Sequence, residues 1–464
     1  MKSKFKELQT KELPELVNLR KFIGVGLVVT GLAMGTGELI LWPHLAVQYG
    51  LGILWGALLG ITLQFFINRE IGRLEAATGE SFFTSSSRFF PFLAIFWFIS
   101  AFVLYIWPGW ATTLGTILQE LFGFGNYLMW SWISLAIVLI LTFLGKTAYS
   151  ILEKALKIIV PVFFVLILII TILSFNLDNF VLALKGLINV GWFPQNIDLE
   201  VFLGATVFAG AGGLLNLAVS LWYKDKGVGM GSYAGKITNP ITGKTEAIPA
   251  TGYKFETTQN NLKKWKKWIK LITLDQGLIF WLLGLITLTL VSLNAYTILT
   301  PLGLVPEGLD IAITQANIFG VYWGEFGYRL FLVMAFFMLF SVMWTVLDAF
   351  TRIISDILYV NSQDGPYQKP LKFIKKFSIH QLYYGLITIF VIINAILIPL
   401  REPLIFLTLS SVLGGFVMAL YLPLILYLEH KILDKKIRAG FITQLVLFLG
   451  FIFYLGFSIY LIIN

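Results

Sequence analysis

The chain alternates between long runs of apolar residues and short polar connections. A helix needs roughly 20 apolar residues to cross the hydrocarbon core of a bilayer. Helices that cover a soluble core carry one polar face, and these runs lack it. We therefore predict an all-α integral membrane protein with eleven transmembrane segments, at approximately residues 21–48, 51–70, 88–108, 127–145, 155–175, 199–223, 268–294, 327–351, 378–399, 403–428 and 440–463.

Two of the segments are interrupted near their centres by glycine. The first interruption is Met34–Glu38 (MGTGE) and the second is Ala209–Gly213 (AGAGG). Glycine lowers helix propensity by roughly 1 kcal/mol per residue, and a bilayer offers no water to backbone groups that leave a helix. Such interruptions persist where the freed groups face protein, a cavity or a ligand. Paired interruptions in two halves of a chain point to the substrate site of a transporter.

The interruptions also predict an internal repeat. Each half of five segments opens with an interrupted helix, and because five is odd the second half enters the membrane from the opposite face. This gives a five-plus-five inverted repeat with discontinuous helices 1 and 6 and one extra C-terminal helix. The resulting parts are an N-terminal segment 1–20, a first repeat 21–175, an outer linker 176–198, a second repeat 199–428 with a polar loop 224–267, and the last helix 440–463.

Basic residues fall on alternate connections, as the positive-inside rule requires of a correctly counted set of segments. Ten lysines lie between Lys224 and Lys270, whereas the predicted outer connections hold only Lys185, Arg329 and Arg401. We therefore predict a multi-pass protein of the plasma membrane with a cytoplasmic N-terminus and an extracellular C-terminus. The connection 108–127, rich in glycine, tryptophan and proline, is predicted to lie outside.

Composition narrows the functional classes. Hydrophobic residues make up 58% of the chain and charged residues 13%, and the net charge of +9 is dispersed over short loops. This pattern suits a lipid bilayer as partner and excludes a nucleic-acid surface. The absence of cysteine excludes disulfides and thiolate metal sites. No catalytic constellation is present, so we predict a protein that is not an enzyme. We also predict that it has no cofactor and that it acts as a monomer or homodimer.

The phrase GVGLVVTGLAMGTGELILWPHLAVQYGLGILWGALLG, at Gly24–Gly60, resembles the first two helices of the Nramp (natural resistance-associated macrophage protein) family of divalent-metal transporters. The segment number, orientation and interruptions agree with that family. It belongs to the amino acid–polyamine–organocation superfamily, whose fold is a five-plus-five inverted repeat with broken first and sixth helices. The resemblance implies a secondary transporter for metals of the Mn/Fe/Mg class, working by alternating access with protons.

The metal-binding motifs of the Nramp family are incomplete in this chain. The family's first interruption reads Asp-Pro-Gly-Asn and aligns with Gly35–Glu38, where the glycine alone matches. Its sixth helix reads Ala-Thr-Val-Met-Pro-His, and here Ala205–Val207 match while Phe208–Gly210 replace the remainder. The family's acidic residue in helix 3 and arginine pair in helix 9 are also missing. The resemblance therefore implies a divergent branch that kept the scaffold and rebuilt the site.

The candidate substrate site comprises the residues at the two interruptions, which are Gly35, Thr36, Gly37, Glu38, Thr206, Ala209, Gly210 and Asn216. A carboxylate near the centre of a bilayer costs several kcal/mol unless it is paired or solvated. As a metal ligand, Glu38 would join backbone carbonyls in a shell of hard oxygen donors suited to Mg²⁺, Mn²⁺ or Na⁺. Alternatively, Glu38 accepts hydrogen bonds from amides of the next half-helix. The threonines either line the site or bond back to their own helices. Asn216 either coordinates an ion or bridges two helices.

Three further residues are candidates for gating or coupling. His44 would relay protons, since its charge changes near neutral pH, or would lie at the outer interface. Asp348 and Arg352 are four residues apart on one helix, a spacing that lets them pair as an intracellular gate or structural bridge. Ser341 and Thr345, one and two turns deeper, would form a sodium-type site together with carbonyls of the first helix.

Two transport hypotheses follow, and a third hypothesis does not involve transport. The first is uptake of a divalent metal of the Mn/Fe/Mg class, with Glu38 as ligand and protons as coupling ion. The second keeps the fold but carries an amino acid or a small organic anion, coupled to Na⁺ or H⁺, because the amino termini of half-helices attract carboxylates. The third is a sensor that uses loop 224–270 as a partner surface and carries no flux.

Overall fold

The computed structural model describes residues 5–16, 18, 24–145, 148–239, 248–307, 310–400 and 403–463. The first half of the chain forms one short strand and eight helices. They are β1 (Gln9–Thr10), α1 (Val25–Ala33), α2 (Trp42–Tyr49), α3 (Trp55–Thr78), α4 (Phe82–Phe89), α5 (Phe92–Tyr105), α6 (Gly109–Phe122), α7 (Tyr127–Leu144) and α8 (Ala148–Leu173).

The second half begins with a short helix in the outer linker and ends with the extra helix. Its elements are α9 (Leu177–Ile188), α10 (Leu199–Val207), α11 (Gly213–Lys226), β2 (Tyr253–Lys254), α12 (Gln259–Leu274), α13 (Leu283–Leu299), α14 (Ile311–Thr314), α15 (Asn317–Gln363), α16 (Ile379–Leu397), α17 (Pro403–Ile432) and α18 (Phe441–Ile463). Helix α15 is kinked at Gly324, whose φ of 56° lies in the left-handed region.

The predicted number of eleven membrane-crossing segments is confirmed for the described residues. Among the described residues, ten helical stretches are long and apolar enough to cross a membrane. The half-helices α10 and α11, of 9 and 14 residues, are each too short alone and together make an eleventh, interrupted crossing. The interruption spans Phe208–Gly212, one residue earlier than the glycine pattern predicted at Ala209–Gly213. The arrangement is consistent with a five-plus-five inverted repeat followed by α18.

The first interruption takes a different form. Between α1 and α2 the chain does not leave the helix, because Met34–Leu41 form a π-helical stretch that keeps the two halves continuous. A second π-helical stretch, Asp275–Leu282, joins α12 to α13. Widened turns of this kind rarely occur without a packing or functional reason.

The predicted outer connection at 108–127 is wrong for most of its length. Residues 109–122 form α6, which continues the third crossing after a break at Trp107-Pro108. Proline has no amide hydrogen and ends α5, so the apolar pattern looks complete before it. The hydroxyls of Thr112 and Thr113, both fully buried, donate to the carbonyl of Gly109 at 2.9 Å. Polar residues therefore continue the helix here because they bond back to it.

The side that the charge pattern predicts to be cytoplasmic is called the inner side below. There β1 pairs in parallel with β2, in register Gln9 with Tyr253. Leu13 is fully buried, and the indole of Trp268 donates to the carbonyl of Pro14 at 2.9 Å. Residues 9–14 of the N-terminal segment are therefore packed against β2 of the polar loop and against α12.

Candidate substrate site at the interrupted helices

Glu38 lies in the π-helical stretch of the first crossing, and its side chain is fully buried. Neither carboxylate oxygen has a hydrogen-bond partner in the protein. The carboxylate faces α13, beside Gly284, where an added Cβ would stand 3.9 Å from Oε1, and beside the hydroxyl of Thr287. That hydroxyl donates to the carbonyls of Leu283 and Gly284 at 2.9 and 3.0 Å. A carboxylate without an ion-pair partner at membrane depth requires a proton or a cation.

Two glycines let the same stretch approach its neighbours closely. A Cβ on Gly37 would overlap the carbonyl oxygen of Phe208, the first residue of the second interruption. A Cβ on Gly35 would overlap the side chain of Val342 on α15. The structure thus brings the two interruptions into direct contact through Gly37. The carboxylate of Glu38, one residue further on, points toward α13.

Gln64 of α3 holds the second interruption open. Its Nε2 donates to the carbonyl of Val207 at 2.8 Å, and its Oε1 accepts from the amide of Gly212 at 2.9 Å. Gly212 and Gly213 have φ values of 70° and 50°, which other residues adopt only with strain. The side-chain amide thus replaces hydrogen bonds that the helix loses where it breaks.

Tyr105 of α5 supports the other end of the break. Its hydroxyl accepts from the amide of Leu215 at 3.0 Å, in the first turn of α11. Side chains of the protein therefore bind several of the backbone groups at the break, which the sequence analysis had expected to face a ligand. The sequence analysis did not identify Gln64 or Tyr105 as site residues. The feature that could have indicated Gln64 is that it is a polar residue inside an apolar segment.

Replacing Gln64 with leucine is expected to destabilise the protein by about 1–3 kcal/mol for each backbone group left unpaired. The carbonyl of Val207 and the amide of Gly212 would both lose their partner in a region without water. Thermal unfolding in detergent measures the effect, and hydrogen exchange at residues 208–215 should speed up. Gln48→Leu is the control, because Gln48 is exposed on α2. Equal stability of the two variants would contradict the bridging role.

The remaining candidates at the interruptions lie as follows. The hydroxyl of Thr206 donates to the carbonyl of Phe202 at 2.9 Å, within its own helix. The Nδ2 of Asn216 donates to the hydroxyl of Tyr421 at 3.1 Å and links α11 to α17, while Oδ1 has no protein partner. Ala209 and Gly210 are buried, and Gly210 lies against the amide of Gln64. The side chain of Thr36 lies outside what the structure describes.

His44 does not join the buried site. Its ring is half-buried in the first turn of α2, with Nδ1 2.7 Å from the carbonyl oxygen of Pro306. On α15, the hydroxyl of Ser341 donates to the carbonyl of Met338 and that of Thr345 to the carbonyl of Ser341, both at 2.7 Å. The oxygen lone pairs of both hydroxyls remain available to a cation. The sodium-type site therefore stays a prediction.

Asp348 and Arg352 form the ion pair that their spacing predicts, with Nε 2.7 Å from Oδ2. Arg352 also pairs with Asp225 at the end of α11, which the sequence analysis missed. The indole of Trp222 donates to Asp348 at 3.1 Å, and the hydroxyl of Tyr383 on α16 donates to the same carboxylate. All the charged groups are nearly or fully buried. This ion-pair network ties three helices together toward the inner side.

Metal-ligand clustering gives no additional site. Within the described ranges, no group of three or more histidine, cysteine, aspartate or glutamate side chains is close enough to hold a metal ion. Glu38 would therefore rely on hydroxyl, amide and backbone oxygens for any further ligands.

No family model and no curated protein matches the sequence. Solved structures do match the fold. A manganese transporter of Eremococcus coleocola, in complex with an aromatic bis-isothiourea compound, is 13% identical with a TM-score of 0.55, covering 98% of this chain and 97% of that chain. Mhp1, a nucleobase-cation-symport-1 family transporter, is 15% identical with a TM-score of 0.52, covering 98% and 93%. MhsT in complex with L-phenylalanine is 16% identical with a TM-score of 0.50, covering 95% and 99%. At these identities the likeness establishes the fold that this chain shares with them.

Proposed function

We propose that this protein is a secondary transporter that moves a cation by alternating access, with Glu38 as the group that binds it. One observation carries the proposal, namely a fully buried carboxylate with no hydrogen-bond partner in the protein, beside the contact between the two interrupted crossings. An intramembrane carboxylate of this kind marks an ion or proton site by default. The structural neighbours described as a manganese transporter and a nucleobase-cation symporter support transport on this fold.

We assign the cation to the divalent Mn/Fe/Mg class. Glu38, the hydroxyl of Thr287 and nearby carbonyls are hard oxygen donors, which favour such ions over soft thiophilic metals. The position aligned with the methionine ligand of the Nramp family is Phe208, so a softer metal would gain nothing here. Protons are the coupling ions we expect, because a buried carboxylate holds a proton whenever the cation is gone.

The ion-pair network of Asp225, Asp348 and Arg352 serves in this proposal as the inner closure. It joins α11 to α15 and α16, and its charges are removed from water. Opening toward the inner side would have to separate or move this network as a unit. His44, in the first turn of α2, belongs to the outer closure.

A second candidate function is transport of an amino acid or a small organic anion, with Glu38 binding the coupling proton or Na⁺. A single carboxylate favours it, because one negative charge leaves a bound divalent cation half neutralised in a low-dielectric site. The interrupted helix also directs the amino terminus of α11, at Gly213, toward the break. Helix amino termini stabilise carboxylates.

Glu38→Gln tests the proposal. Loss of the charge is expected to weaken Mn²⁺ binding by about 2–5 kcal/mol, roughly 30-fold or more. Initial rates of Mn²⁺ uptake into proteoliposomes with an internal fluorescent chelator should fall accordingly. Glu325→Gln is the control, because the Glu325 side chain is 70% exposed. A thermal-shift screen of the wild type against Mn²⁺, Mg²⁺, Na⁺, amino acids and small carboxylates separates the two candidates, since a bound ligand raises the unfolding temperature.

Unchanged Mn²⁺ uptake in Glu38→Gln would overturn the role of Glu38. Stabilisation by an amino acid or carboxylate, without stabilisation by any divalent ion, would select the second candidate. If the wild-type protein binds none of these ligands and carries no flux, the sensor hypothesis is the one that remains.

A further inference from the structure

A row of polar side chains runs along one face of α3. Gln64, Asn68 and Glu75 are spaced by four and seven residues, so they share a face with Gly72 between them. All three polar residues are fully buried. They begin at the second interruption, where Gln64 binds, and lead toward the inner side over about three helical turns.

This face of α3 packs against α11, and the two helices run in the same direction. Gln64 meets the amide of Gly212, immediately before α11 begins. Two turns later, a Cβ on Gly72 would stand 2.8 Å from the ring of Tyr223. Asn68 lies midway and is therefore level with the middle turns of α11. We call this surface between the helices the α3–α11 seam.

Beyond Gln64, the protein leaves the polar atoms of the row without hydrogen-bond partners. Neither Oδ1 nor Nδ2 of Asn68 has a hydrogen-bond partner in the protein, and neither does either carboxylate oxygen of Glu75. Leaving an amide or a carboxyl unpaired in an apolar interior costs several kcal/mol. Buried polar groups of this kind are normally satisfied by ordered water. The seam therefore has the chemistry of a hydrated path.

The charged surroundings fit proton exchange at Glu75. Lys224, near the end of α11, is the cation that acts on its carboxylate. The ammonium of Lys224 is 3.4 Å from a carboxylate oxygen of Asp356 on α15, so it is already shared. Glu75 also lies against Gly231, which offers no charge. Glu75 thus has neither a dedicated counter-ion nor a fixed hydrogen-bond donor, and a proton can bind and leave.

We propose that the α3–α11 seam conducts protons between the interrupted helices and the inner side through water held by Asn68, with Glu75 as the proton-binding group at the inner end. A proton from water converts the Glu75 carboxylate into a carboxyl, and the reverse transfer returns it to water on the inner side. Chains of buried carboxyl and amide groups serve as such relays in membrane transporters. The path rests on the proposed transport function, because it begins at the transport site.

Glu75→Gln, reconstituted in proteoliposomes, tests coupling. The ratio of Mn²⁺ uptake with an inward proton gradient to uptake without one should fall by about tenfold from the wild-type ratio. Asn68→Leu, which dries the middle of the seam, should lower the same ratio. Glu325→Gln is the control, because it removes a carboxylate that is 70% exposed and lies far from the seam in the sequence. A wild-type ratio in Glu75→Gln would overturn the proposal and leave the transport function standing.

A second measurement does not depend on flux. Infrared titration of the purified protein should show a protonated-carboxyl band that Glu75→Gln removes in H₂O and that shifts in D₂O within seconds. Exchange that is fast in the wild type and slow in Asn68→Leu supports the hydrated path. A band that never exchanges in the wild type identifies a structural carboxyl and overturns it. If Mn²⁺ flux is absent but exchange is fast, the transport proposal fails and the seam stands.

Discussion

Replacing Arg352 with methionine is expected to lower the free energy of unfolding by about 3–5 kcal/mol. The substitution keeps most of the side-chain volume but removes the guanidinium that pairs with both Asp348 and Asp225, and leaves the two carboxylates buried beside each other. Breaking a buried ion pair costs much more than the pair contributes, because the remaining charge stays desolvated. Reversible unfolding in mixed detergent micelles measures the change.

Arg329→Met provides the matched control on the same helix. Arg329 pairs with Glu325 at 2.6 Å, but both side chains are more than half exposed, so its loss should cost about 0–1 kcal/mol. The combined variant Asp225→Asn, Asp348→Asn, Arg352→Met should regain much of the lost stability. If Arg352→Met were as stable as Arg329→Met, the network would not be the buried ion-pair cluster that the structure shows.

The fold followed from the sequence because run length and charge parity are strong signals in a membrane. Helix ends were harder to place. The crossing predicted at 268–294 extends over Gln259–Leu302, since α12 begins among lysines and asparagines. Trp265 and Trp268 are buried on one face of that start, so an amphipathic turn continues the helix beyond the apolar run. Hydropathy marks the bilayer, whereas hydrogen bonding decides where the helix ends.

The candidate site was predictable in part. Glu38 stands out because a charge is rare in an apolar segment. Gln64 and Asp225 do not stand out in the sequence. Their roles depend on how neighbouring helices are aligned against each other, which the sequence does not show. The glycines at Met34–Glu38 predicted an unwound stretch, but the helix stays hydrogen-bonded there as a π-helix. The same glycines are instead required for close packing between helices. A substitution can distinguish close packing from local unwinding as the role of the glycine.

Gly37→Ala is expected to destabilise the protein by about 1–3 kcal/mol and to slow Mn²⁺ uptake. Gly37 has an ordinary helical backbone, so alanine adds no torsional strain, and helix propensity alone would favour it. The new methyl group would instead overlap the carbonyl oxygen of Phe208 and approach its carbonyl carbon to 2.8 Å. Both atoms belong to the backbone and cannot rotate away.

Gly385→Ala isolates this steric effect. Gly385 lies inside α16, and a Cβ there would meet no atom within 4 Å. Helix propensity then predicts a gain of about 1 kcal/mol in stability. Opposite signs for the two glycine variants, measured by thermal unfolding and Mn²⁺ uptake, would show that Gly37 serves the contact between the interrupted crossings. A stabilised Gly37→Ala with normal uptake would mean that this contact does not form, and that the glycine only loosens the helix.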